Sequence, residues 1–316
     1  MSHKQARIVE RALTRLKLKQ LRLLVAVADR GSILHAARDM NLSQPAATKM
    51  IKDLETDFEV QLFTRTNRGV VPTVYGDTLI RHGKLVFAQI SHAAQELDDL
   101  TEGNAGRVVV GTLLAASARL LPLAIDGVLK ERPNLVIKVV EGTNEVLMPG
   151  LRAGELDLVV GRLPTHRHRS DLDQMRLYDE EIVACVRAGH PLAGRSRVSL
   201  ADMAGFGWIL PPAETTLRRQ LDQHFASRPE VSPKRVVESV SYLTNRALMA
   251  QSDLISVMPG QVAAVEIAGG ASARLDWAVP VGTGPVGVSF RRADGLSPAA
   301  RAFIRVLSEV GTGIGA

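Results

Sequence analysis

"SILHAARDMNLSQPAATKMIKDLE", residues 32–55, holds two runs of helical spacing separated by only Asn41, Leu42 and Ser43. Apolar positions fall at Ile33, Ala36, Ala37 and Met40, then at Ala47, Met50, Ile51 and Leu54, which continues to Phe58. These are the i, i+3, i+4 and i+7 steps of a helix with one buried face. Ser32 and Ser43 stand where an N-cap side chain accepts from an amide of the first turn, and Pro45 stands where its missing N–H costs nothing. Two helices joined through so short a corner cross at a large angle and approach closely, and this accounts for small residues at Ala36, Ala37, Ala46 and Ala47. With Leu18, Leu21, Val25 and Ala28 upstream, ended by Gly31, the pattern predicts three short helices around one core, a helix-turn-helix.

The outer face of the third helix carries Gln44, Thr48 and Lys52 in one stripe, with Ser43, Pro45 and Lys49 beside it. Amide, hydroxyl and ammonium groups projecting together suit base edges and phosphates. A plain three-helix bundle can show such a face, but the caps, the small residues and the basic stripe together favour DNA binding. The charge distribution agrees. Residues 1–73 hold 13 Lys and Arg against 7 Asp and Glu, whereas residues 74–316 hold 26 of each. A basic module followed by a neutral one implies a polyanionic partner for the first and another task for the second.

Residues 59–76, "EVQLFTRTNRGVVPTVYG", read as two short strands around Asn67, Arg68 and Gly69, a wing whose Arg65 and Arg68 are placed to enter a minor groove or hold a phosphate. Residues 75–100 then predict a helix of some seven turns. Leu79, Val86, Ala93 and Leu100 recur at seven-residue steps, with Gly83, Ile90 and Leu97 interleaved. This spacing predicts a seam between two chains along Leu79, Val86, Ile90, Ala93 and Leu97, with packing on its own domain as the alternative. "TEGNAGR", residues 101–107, predicts a hinge.

From Val108 strands alternate with helices. Residues 107–114, 135–142 and 156–163 read as strands, 118–133 as a helix, and "NEVLMPGLRAGE" (144–155) as a helix interrupted or ended around Pro149. The pattern restarts at "EEIVACVRAGHPLA" (180–193) and runs to "WAVPV" (277–281) and "VGVSFRR" (286–292), both read as strands, and a final helix over 297–310. Two α/β subdomains with a cleft follow, about 107–177 with 281–316, and about 178–280.

Other classes are poorly supported. No G-x-S-x-G, G-x-G-x-x-G or Walker loop occurs, so an enzyme is not expected. His166 and His168 in "THRHRSD" lack further ligands at metal spacing, and neither metal nor cofactor is expected. Cys185, the single cysteine, lies in an apolar run and reads as a small core residue. No signal peptide or spanning run is seen, which predicts a cytoplasmic protein without membrane contact. A solute-binding component of a transporter fits residues 108–316 but leaves the N-terminal third unexplained.

Residues 21–76 with the long helix, "VVVGT", "ELDLVVGRL" and "RAGHPLA" resemble the LysR-type transcriptional regulators over nearly the whole chain. The resemblance implies an N-terminal winged helix-turn-helix over 1–73, a linker and dimerisation helix with hinge over 74–106, and over 107–316 an effector-binding domain of two Rossmann-like subdomains similar to periplasmic solute-binding proteins. It implies dimers or tetramers on promoter DNA, contact with RNA polymerase, and control by a small metabolite, an organic acid or sugar. His35, where the family more often has Ser, Thr or Ala, and the long stretch before Leu18 depart from the pattern. The family's effector positions map onto Thr112 and Leu113, Thr143 and Asn144, and Gly161 and Arg162, with Pro211, Thr215 and Thr216 from the second subdomain. Thr112 and Thr143 each follow a strand and precede a helix, where hydroxyls and free amides converge at a sheet's carboxyl edge. Helix capping is the competing role for Thr215 and Thr216. Arg162 has Glu155 and Asp157 as alternative acidic partners nearby in sequence.

Overall fold

The computed structural model describes residues 3–67, 69–102, 106–164, 172–292 and 296–315. They form two compact units, Met1–Ser91 and His92–Ala316.

The first unit contains α1 (His3–Arg15), α2 (Leu18–Arg30), α3 (Ile33–Asp39), α4 (Gln44–Phe58), the hairpin β1 (Phe63–Thr66) and β2 (Gly69–Pro72), and the start of α5 (Val74–Glu102). Gly31 ends α2 in the left-handed conformation, and Ser32 at once opens α3 by accepting from the His35 amide. Asn41 takes φ 53° at the corner, and Ser43 then caps α4 at the Ala46 amide with Pro45 in the first turn. The small residues do what close approach requires: Ala36, Ala37 and Ala47 are buried together with Leu23, Leu24, Val27, Ile51 and Leu54. Each buried leucine or isoleucine contributes about 1.5–3 kcal/mol by leaving water. The hairpin is held to this bundle at Gly69, where a Cβ would stand 2.3 Å from the Gly31 carbonyl oxygen, so only glycine fits. Beside it the Val70 amide donates to that same oxygen.

Two expectations for α5 change. It starts at Val74 and runs through Glu102, spanning about 44 Å at 1.5 Å per residue, so Thr101 and Glu102 of the expected hinge are helical; Gly103 to Ala105 lie outside the described residues. Leu79 packs on the core of its own unit, and Gly83 lies against Leu21 and Val25, so this part of the stripe is intrachain. The exposed apolar stripe begins at Val86 and continues through Ile90, Ala93 and Leu97. The side chain of Leu100 lies outside the described residues.

The second unit has two five-stranded mixed sheets. Strands β3 (Arg107–Thr112), β4 (Val136–Glu141), β5 (Leu158–Arg162), β6 (Leu172–Glu180) and β12 (Gly284–Arg291) form the first, in order β4-β3-β5-β12-β6. The first three run parallel, and β12 is antiparallel to both neighbours. Strands β7 (Ile182–Arg187), β8 (Trp208–Leu210), β9 (Val236–Glu238), β10 (Ile255–Pro259) and β11 (Ser272–Arg274) form the second, in order β11-β7-β10-β8-β9. Helices α6 (Leu114–Ser117), α7 (Leu120–Glu131), α8 (Asn144–Ala153) and α13 (Pro298–Gly315) accompany the first sheet; α9 (Leu200–Met203), α10 (Thr216–Ala226), α11 (Tyr242–Gln251) and α12 (Gly260–Ala268) accompany the second. Cys185 is fully buried, and burial pushes its thiol up to about 12, as suits an inert core residue.

Two readings of this unit are corrected. Helix α8 runs through Pro149 to a left-handed Gly154, because Leu147, Met148 and Leu151 are buried and outweigh the one lost hydrogen bond. "WAVPV" is not a strand: Trp277, Val279 and Val281 pack on the second core as irregular chain, Pro280 having no N–H for a ladder, and the edge strand is β11 just before it. His166 and His168 lie outside the described residues. Among the described residues no helix is long and apolar enough to cross a membrane, and no cluster of His, Cys, Asp and Glu is arranged to hold a metal.

Candidate nucleic-acid interface and effector cleft

Helix α4 separates its two faces as the sequence predicts. Ala47, Ile51 and Leu54 are buried, while Ser43, Gln44, Pro45, Lys49 and Lys52 are exposed and Thr48 is half-buried at the edge of the stripe. The Ser43 cap fixes the direction in which the first turn presents Gln44 and Pro45. In the wing Arg65 is exposed on β1, paired in register with Val70. Arg68 lies outside the described residues.

Helix α1 was not placed by sequence reasoning, although its basic amphipathic pattern is visible. Residues 1–17 hold five Lys and Arg against one Glu, two-thirds of the N-terminal excess of positive charge. Part of that charge faces protein rather than solvent. Arg7 and Arg11 bind Glu59 at 2.7 and 2.9 Å, and Arg15 stands 3.9 Å from Asp57. Glu59 is the left-handed cap of α4, so α1 neutralises acids gathered at the end of α4 remote from Gln44.

In the second unit the ends of β3 and β5 are held side by side. The Leu113 amide donates to the Val160 carbonyl at 3.0 Å, and a Cβ on Gly161, at φ 148°, would meet the Leu113 Cβ at 2.6 Å. Asn144 Nδ2 reaches across to the Arg162 carbonyl at 3.2 Å. Thr143 caps α8 through its backbone and makes no side-chain capping bond. Thr112 is 3% exposed, and its hydroxyl donates to the Leu113 carbonyl. Thus Thr112, Leu113, Thr143, Asn144, Gly161 and Arg162 share one sheet edge. Arg162 has neither of the two acidic partners weighed from sequence. Its Nη2 donates to the Gly282 carbonyl at 3.0 Å, and Asp157 is engaged by His92 and the Val109 amide.

Pro211, Thr215 and Thr216 cluster after β8, but with internal tasks. Thr215 accepts from the Arg218 amide and donates to the Pro212 carbonyl, Thr216 accepts from Arg219, and the Pro211 carbonyl accepts from Arg218. Capping accounts for Thr215.

Glu180, at the end of β6, was missed. It is 3% exposed, and its Oε1 accepts from the Gln261 amide at the start of α12. Burial pushes its carboxyl above the ordinary value, against the amides of Gln261 and Gly260. Burial likewise holds the Arg162 guanidinium below its usual range, with Glu180 and Asp179 opposing. The acidic run Asp179, Glu180, Glu181 before an apolar strand was the available signal.

Comparison with known proteins gives this arrangement its context. Residues 18–77 match the bacterial regulatory helix-turn-helix proteins of the lysR family, and residues 101–312 match the LysR substrate binding domain. The HTH-type transcriptional regulator GbpR of Azospirillum brasilense is 34% identical over 294 residues, 93% of this chain and 86% of its own. The HTH-type transcriptional regulator PcaQ of Agrobacterium fabrum is 31% identical over 277 residues, 88% of this chain and 89% of its own. Among solved structures, a full-length OxyR variant from Pseudomonas aeruginosa has a TM-score of 0.63 at 25% identity, covering 94% of this chain and 95% of that one. With a helix-turn-helix module over 18–77 and an effector-binding module over 101–312 both matched, the chain belongs to the LysR family of DNA-binding transcriptional regulators.

Proposed function

We propose that this regulator reads promoter DNA through Gln44, Pro45 and Thr48, anchors on phosphates through Ser43, Lys49, Lys52, Arg65 and Arg68, and responds to a small organic acid or sugar at the edge carrying Thr112, Leu113, Thr143, Asn144, Gly161 and Arg162. Pro211, Thr215 and Thr216 border that cleft from the second subdomain. The observation that carries the reading is the division of α4, whose inner face is buried while the Ser43-capped outer face presents an amide, a hydroxyl and two ammonium groups. Two chains pair along Val86, Ile90, Ala93 and Leu97, as dimers or higher assemblies, in the cytoplasm and in contact with RNA polymerase. Pairing supplies two recognition helices for a two-fold DNA site.

The test uses the full chain. Selection from a random duplex pool is expected to yield a two-fold symmetric site bound at least about a thousandfold more tightly than random duplex at physiological salt. Binding with no sequence preference overturns the reading.

A further inference from the structure

Three buried polar atoms at the effector edge have no hydrogen-bond partner among the described residues: Arg162 Nη1, Glu180 Oε2 and Asn144 Oδ1. The residues that carry them are neighbours. Strand β12 lies between β5 and β6, and Gly284 on β12 pairs in register with Glu180. The Arg162 side chain lies over that glycine, where a Cβ would stand 2.2 Å from Nη2. Asn144 is tied to the Arg162 carbonyl. Arg162 and Glu180 each favour the other's charged form, against burial. Unpartnered buried donors and acceptors are costly, and three at one edge mark a place that an outside molecule completes.

The unmet valences define that molecule. Arg162 offers an N–H carrying positive charge, for which a carboxylate is the matched acceptor. Asn144 Oδ1 accepts only. Glu180 Oε2, its other oxygen being taken by the Gln261 amide, accepts when ionised. An acid without hydroxyls satisfies Arg162 but leaves both acceptors empty and adds a negative charge beside Glu180. A neutral polyol satisfies the acceptors but leaves the cation without a counter-charge. We propose that the effector is a hydroxylated carboxylic acid, its carboxylate held by Arg162 and its hydroxyls donating to Glu180 and Asn144. This rests on reading the edge as the effector site. Because Glu180 also accepts from the start of α12 in the second subdomain, the hydroxyl contact sits at the crossing between the two subdomains.

Calorimetric titration of the full chain tests the class, with L-lactate, L-malate and D-gluconate as probes against propionate, succinate and hexanoate, which lack the hydroxyls, and glycerol and sorbitol, which lack the carboxylate. At least one hydroxy acid is expected to bind, and its deoxy and neutral counterparts at least about tenfold more weakly. Arg162→Gln is expected to weaken binding at least tenfold, and Arg162→Lys, which keeps a cation, to retain part of it. Glu180→Gln is expected to reduce the preference for the hydroxy over the deoxy acid at least tenfold. Cooperative melting of each variant certifies its fold. Binding of none of the hydroxy acids, equal binding of a deoxy acid or a polyol, or unchanged affinity and preference in Arg162→Gln and Glu180→Gln overturns the proposal. DNA selection separates the two readings: a specific site with a deoxy acid or polyol in the cleft removes only the ligand class, whereas no specific site removes the regulator's DNA reading itself.

Discussion

His92 Nε2 lies 3.0 Å from Asp157 Oδ1, joining the last turns of α5 to the entry of β5. Both residues are buried, and Asp157 does more than hold the histidine. Its Oδ2 accepts from the Val109 amide at 2.8 Å, and Oδ1 faces Arg291 Nη2 at 3.6 Å. Arg291 in turn donates to the carbonyls of Leu151 and Leu156. One carboxylate therefore links α5, β3, β5 and β12. Removing it takes from the buried Arg291 guanidinium its acidic partner among the described residues.

Asp157→Ala is therefore expected to cost about 3–5 kcal/mol, as breaking a buried ion pair does, and to lower the melting temperature of a unit this size by about 6–20 °C. Asp157→Asn keeps an acceptor for the Val109 amide and should lose less. Differential scanning fluorimetry decides the matter, and a fall under about 2 °C in the alanine variant would show that water replaces the carboxylate at little cost.

Gln44→Ala and Thr48→Ala should each cost on the order of 1–3 kcal/mol at the selected DNA site and little on random duplex. Lys49→Ala and Lys52→Ala should weaken both and flatten the salt dependence by about one phosphate contact each. Gel shifts at several salt concentrations read the difference. Equal losses on both DNAs from all four changes would refute base reading by Gln44 and Thr48.

The helix-turn-helix was legible in the sequence because its determinants are local. Gly31, Ser32, Asn41, Ser43 and Pro45 act within a turn of themselves, and the faces of α2 to α4 repeat at 3.6 residues. What escaped reading depends on partners far along the chain. Strand β6 exists through pairing with β12 more than a hundred residues later. Leu79 belongs to a helix core that seven-residue spacing does not distinguish from a seam. Pro149 reads as a breaker until the burial of Leu147 and Leu151 is known. Glu180 looked like one acid in a charged run; its placement between Gly284 and the start of α12 is purely tertiary.

The exposed part of the α5 stripe makes a separate prediction. Val86, Ile90 and Leu97 are 39%, 47% and 66% exposed in one chain. Val86→Asp with Ile90→Asp puts two charges in the proposed seam, where each costs roughly several kcal/mol if desolvated without a partner, so dimers should dissociate. Leu79→Asp should instead destabilise the N-terminal unit, since that side chain packs on its own core. Light scattering and thermal melting separate the two effects. The parent mass persisting in the double variant would assign Val86 and Ile90 to packing within the chain.

The last prediction concerns pH. The Glu180 carboxyl is raised in the folded protein, by burial first, with Glu181 adding and the amides of Gln261 and Gly260 and the Arg162 guanidinium opposing. A carboxyl titrating higher when folded binds its proton more tightly in the native state. Its contribution to stability is thus fully present below the ordinary carboxyl range and is lost as pH rises through the folded value. Glutamine in its place stays neutral at every pH and keeps an amide oxygen for the Gln261 N–H. Glu180→Gln should therefore match wild type near pH 4 and gain on it as pH increases towards 8, in the absence of any effector. Melting temperatures of both proteins across that range provide the measurement. A variant that instead loses stability relative to wild type with rising pH would mean that the ionised carboxylate is held by Arg162 and the α12 amides strongly enough to outweigh burial, reversing the sign assigned to the site.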